Sequence, residues 1–162
     1  MRTTTVACCL FAAALSACGG GAAAQSAAKT EAALSGEDKI QADKSPQCRL
    51  FTPAELSKFA GVPLGPGRVA AMGTGCQWLA RSGEGSVMVQ AAPARYHEPH
   101  KGAKGFRRLP DVGKEGFVES SMGGWNAGAI DGAQTVVVAI DGPAASDATA
   151  IALLTETIKR RK

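Results

Sequence analysis

Apolar and polar positions divide the chain into three stretches. Residues 6–15 are apolar and uncharged, with Arg2 ahead of them. Residues 19–47 are small and polar, with Leu34 and Ile40 as isolated large apolar residues. From Cys48 onward, large apolar residues recur in two rhythms. Residues 76–80 and 86–90 alternate around a Ser82-Gly83-Glu84-Gly85 turn and read as a hairpin. Residues 116–119 and 125–130 read as further strands, separated by Met122-Gly123-Gly124. Asp131-Gly132 then leads by a hairpin turn into Thr135-Val136-Val137-Val138-Ala139-Ile140, the β-branched run with the clearest strand character. Residues 96–108 are polar and basic, and read as a loop or short helix.

Two segments carry helical signals. Thr52 precedes Pro53, and Glu55 lies three residues after Thr52, the spacing of a capping box. Phe51, Leu56 and Phe59 would then face a core, with Gly61 and Pro63 ending the helix. At the other end Ser146-Asp147 starts a helix whose apolar stripe is Ala150, Ile151, Leu154 and Ile158, and Lys159-Arg160-Arg161-Lys162 closes it where cations suit the helix dipole. The order predicts an α+β fold: an antiparallel sheet of about five strands with the N-terminal and C-terminal helices on one face and the other face partly solvated.

The first stretch is too short to span a bilayer and has the length of a signal-peptide apolar region. It ends in Leu15-Ser16-Ala17-Cys18, which resembles the lipobox of bacterial lipoproteins. That resemblance implies cleavage before Cys18 and acylation of its thiol. Residues 1–17 are thus expected to be a signal peptide, taking Cys8 and Cys9 with them. Residues 18–47 are expected to be a lipidated flexible tether, and residues 48–162 the folded domain. Such a tether would reach on the order of 30 Å, and two or three acyl chains suffice for stable anchoring. Gly19 rather than Asp after the cysteine resembles outer-membrane sorting. The expected location is therefore the periplasmic face of the outer membrane in a two-membrane cell, and otherwise the outer face of the cytoplasmic membrane.

Outside the cytoplasm thiols oxidise, so Cys48 and Cys76 are expected to form a structural disulfide. No Cys-x-x-Cys or neighbouring histidine favours a redox or metal pair. Residues 48–52, Glu55-Leu56 and Gly61, then Cys76-Gln77-Trp78, Leu109-Pro110-Asp111-Val112-Gly113 and the late valine-rich strand resemble a family of small lipoproteins common in actinobacteria. The resemblance implies an extracytoplasmic α+β domain and transfers no catalytic residue. Where that family usually carries an alanine near position 116, this chain has Gly116-Phe117.

Charge and chemistry narrow function only a little. With 18 Lys and Arg against 14 Asp and Glu, and aromatics at 5 %, nucleic acid is not an expected partner. His97-Glu98-Pro99-His100 is the sole histidine cluster, but Pro99 interrupts the helical spacing of metalloprotease motifs, and no metal or cofactor is expected. Lys101, Lys104, Phe106, Arg107 and Arg108, with Trp125, form a candidate binding patch. No catalytic constellation is evident. The leading expectation is a non-catalytic, membrane-anchored module that binds an envelope protein or cell-wall ligand. A periplasmic inhibitor of a secreted toxin or hydrolase is the alternative, and a metal-dependent enzyme using His97 and His100 is the third.

Overall fold

In a computed structural model the described residues are 42–162. The expected signal peptide, Cys18 and most of the expected tether lie outside them. Ala42, Ser45 and Gln47 are already buried, so the packed part begins a few residues ahead of Cys48.

The domain is mostly β. Seven antiparallel strands form one sheet: β1 (Arg68–Ala70), β2 (Gly75–Leu79), β3 (Ser86–Pro93), β4 (Arg107–Leu109), β5 (Lys114–Ser121), β6 (Gly124–Asp131) and β7 (Gln134–Asp141). Their spatial order is β1-β2-β3-β7-β6-β5-β4. Among the described residues, the helices α1 (Pro53–Ala60) and α2 (Asp147–Arg160) pack against it. The five expected strands are all present, and the sequence reading was two short. The missing pair, β1 and β4, are the edge strands of three residues each. Strands that short show no period, and the sheet ladder rather than local preference makes them extended.

Alternation sorts the sheet into two faces. Cys76 and Trp78, Val87 and Val89, Val136, Val138 and Ile140, Ala127 and Ala129, and Val118 share the face that forms the core with Leu56, Ala60, Leu153 and Leu154 of the helices. The seam of α2 differs from the expected one. Ala150, Leu153, Leu154 and Thr157 are buried, whereas Ile151 and Ile158 are only partly so. Thr157 is tolerated there because its hydroxyl donates to the Leu153 carbonyl at 2.7 Å. Both helix starts are capping boxes, Thr52 with Glu55 and Ser146 with Thr149, and Gly61 closes α1 in the left-handed region.

The Cys48–Cys76 disulfide is present, with the Cα atoms 5.1 Å apart, and it ties the approach to α1 onto β2. Arg160 ties the ends of the helices. Its guanidinium donates to the Leu50 carbonyl, Glu55 and Glu156 at 2.7–2.9 Å and lies 4.3 Å over the Phe51 ring. The Arg160 hydrogen bond, helped by the Thr52 backbone N–H, holds the Glu55 carboxyl at about 2, below its ordinary 4.5. A carboxyl lowered on folding stabilises above its unfolded value, and that contribution disappears as pH falls from 4.5 towards 2. Arg160→Ala is therefore expected to cost about 1 kcal/mol at neutral pH, the partial exposure of the pair limiting the effect. The gap between wild type and variant should narrow progressively below pH 4.5 in urea titrations, leaving the part due to the Leu50 carbonyl and the Phe51 ring.

Candidate functional site

The topology creates the site. β3 sits inside the sheet beside β7, while β4 lies at the far edge. The chain joining them, residues 94–106, must cover four strand spacings of about 4.8 Å each. It does so as a strap across the face opposite the helices, touching Thr135 of β7 and Phe117 and Glu119 of β5. This face was expected to be partly solvated, yet Thr135, Phe117 and Glu119 are all buried beneath the strap.

Two histidines and a phenylalanine pin the strap. His97 Nε2–H donates to the Glu115 carbonyl at 3.1 Å, which leaves Nδ1 to accept from the Thr135 hydroxyl at 2.8 Å. The His97 ring meets Phe117 edge-on, with centroids 5.5 Å apart, and Phe106 stacks on Phe117 at 6.5 Å. Gly128 makes this possible, because a Cβ there would lie 2.6 Å from the Phe117 ring. Further along, the Glu119 carboxylate accepts the His100 backbone N–H at 3.0 Å and its ring Nδ1–H at 3.1 Å. Glu119 is 3 % exposed, so these donors replace the water that a buried carboxylate loses.

The histidines thus engage protein partners on different strands. Among the described residues no three His, Cys, Asp or Glu side chains gather in a metal-holding group. The sequence reading missed Glu119. It shares a strand face with Phe117 and Ser121, and only the strap's long-range crossing buries it.

The candidate patch is partly brought together and partly dispersed. Lys101, Lys104 and Arg108 are exposed and make no ion pair with another described residue. Arg107 is instead bound to Asp147 at 2.6 Å, which holds the Asp147 carboxyl below its ordinary value. Phe106 is half-buried on Phe117. Trp125 lies on the helix-side face, packed against the core and under Gly105, whose Cβ position is 2.9 Å from the indole. What remains is three exposed cations on and beside a pinned strap. A separate depression of about 330 Å³ beside the disulfide is lined by Cys48, Arg49, Phe51, Pro66, Gly67 and Trp78, among others.

The family model described as a protein of unknown function, DUF3558, matches residues 13–153. The chain belongs to the DUF3558 family. No curated protein and no solved structure matches it. The DUF3558 match takes in every strand, the disulfide, the strap and the first half of α2. No helix among the described residues is long and apolar enough to cross a membrane.

Proposed function

We propose that this DUF3558 protein is an envelope lipoprotein, acylated at Cys18, whose domain is a non-catalytic module binding an anionic envelope protein or cell-wall polymer. The observation that carries the reading is the strap: residues 94–106 are fixed from below and present Lys101, Lys104 and, at its end, Arg108 to solvent. Pinning matters energetically, since cations on a rigid segment lose less conformational entropy on binding than cations on a free loop. Charge of this kind sets encounter rate and salt dependence more than residence time. The lipobox at residues 15–18 and the disulfide support the same compartment.

The test is co-sedimentation with purified cell-wall sacculi, together with capture from envelope extracts, using the full chain. The triple variant Lys101→Glu, Lys104→Glu, Arg108→Glu is expected to lose about tenfold or more in retention, and wild-type retention should fall with added salt. Retention unchanged by the triple reversal would refute the reading. Capture of one stoichiometric hydrolase, lost in the triple variant, would specify the module as an inhibitor of that enzyme.

A further inference from the structure

The strap stands as a wall along β5. His97 bonds the Glu115 carbonyl, Phe106 lies on Phe117, His100 sits on Glu119, and the Lys104 carbonyl accepts the Ser120 N–H at 2.9 Å. Past Thr135 it leaves the outer face of β1, β2, β3, β7 and β6 as an open shelf, on the side of the sheet away from the helices.

One row of side chains crosses this shelf. The register sets Arg68 beside Gln77, Gln77 beside Met88, Met88 beside Ala139, Ala139 beside Asn126 and Asn126 beside Glu119, which holds the His100 ring. The row runs from an exposed guanidinium on the β1 edge to the strap, where the exposed Lys101 follows His100. It covers four strand spacings, about 19 Å. Gln77 and Asn126 lie about 14 Å apart within it, with Met88 and Ala139 as an apolar floor between them. All four are half-buried. In the neighbouring row Gln90 donates to the Thr74 hydroxyl at 3.2 Å, whereas the amides of Gln77 and Asn126 have no hydrogen-bond partner among the described residues. The carboxylate facing the open shelf is Asp141, two residues along β7 from Ala139.

These groups define the occupant chemically. A side-chain amide donates and accepts at once, as a sugar hydroxyl does, so amides fixed on a sheet pair well with hydroxyl-rich chains. Arg68 on one side and the strap cations on the other call for anionic groups on the same ligand. The outer-facing positions of these five strands carry no aromatic residue, and so lack the anchors on which protein interfaces concentrate their energy. A second copy laid face to face would set cationic rims against each other.

We infer that the open shelf seats an anionic polysaccharide strand, its hydroxyls paired with Gln77 and Asn126 and its acidic groups with Arg68 and the strap cations. The inference deepens the proposed binding role and rests on it, choosing the cell-wall polymer over the envelope protein.

The full chain is titrated by calorimetry with two soluble polyanions at equal salt: polygalacturonate, which carries carboxylates on sugar rings, and poly-L-glutamate, which carries them on a peptide. Polygalacturonate is expected to bind about tenfold or more tightly than polyglutamate. Gln77→Ala with Asn126→Ala should weaken polygalacturonate about tenfold, the value of two hydrogen bonds, and leave polyglutamate unchanged. Gln77→Glu with Asn126→Asp, of nearly equal size, should weaken polygalacturonate further, with melting by circular dichroism showing that each variant is folded. Tighter binding of polyglutamate, or equal binding indifferent to both amide variants, would overturn the inference in favour of an acidic protein ligand, while retention on sacculi lost in the strap triple variant would keep the binding role. A dimer in sedimentation that the Gln77→Glu, Asn126→Asp variant dissociates would overturn it in favour of a second copy. Binding to neither polymer, with sacculi retention unchanged by the triple variant, would overturn the inference and the binding role together.

Discussion

Trp78→Ala is expected to destabilise the domain by about 4 kcal/mol, lowering Tm by roughly 15 °C. Trp78 is the largest fully buried side chain, 1 % exposed, on β2 in the core cluster between the sheet and the helices. Its loss removes the transfer free energy of an indole and leaves a cavity that the surrounding strands, locked in register, cannot close. Gly67 is shaped to it, since a Cβ there would lie 2.8 Å from the indole Nε1. Trp78→Phe retains most of the contact and should cost only about 1–2 kcal/mol. Thermal unfolding followed by circular dichroism checks both. A loss below about 1 kcal/mol for the alanine variant would mean that this region is not the packed centre of the domain.

The second large effect concerns the disulfide. Cys48→Ala with Cys76→Ala is expected to cost about 3.5 kcal/mol, the chain-entropy value for a loop closed over a separation of 28 residues. A small domain has marginal stability, so this is a large share of the total. Cys76 is completely buried. Reductant should therefore act slowly on the native protein and quickly once urea opens it, measured as thiol appearance against denaturant concentration. Immediate reduction without denaturant would show the bridge to be exposed and dispensable.

Much of the architecture is legible from the chain because local and tertiary preferences agree there. Thr52, Pro53, Glu55 and Gly61 specify α1 by capping chemistry alone. The run from Thr135 to Ile140 is a central strand by composition and by position, flanked by β3 and β6. The two edge strands follow no such logic, since Arg68–Ala70 and Arg107–Leu109 are extended only because a neighbour offers a ladder. The stripe of α2 was misjudged by one step because the buried Thr157 reads as polar.

The site was less legible than the fold. Lys101, Lys104 and Arg108 were recognised from their charge and are exposed. Arg107 was grouped with them, but its partner Asp147 is 40 residues away in sequence. Trp125 was also grouped with them, yet it packs on the helix-side face. The roles of His97, His100 and Glu119 depend on a crossover from β3 to the far edge, and no local pattern encodes which face the crossing segment covers.

The proposed location outside the cytoplasm underlies both the binding role and the reading of the disulfide as structural. Intact mass analysis of the native protein purified from its membrane fraction tests it most directly. The account predicts a chain beginning at residue 18, heavier by the mass of its acyl groups and lighter by the two hydrogens lost at Cys48 and Cys76. A chain that still carries residues 1–17, with an unmodified Cys18 and both later thiols reduced, would contradict it.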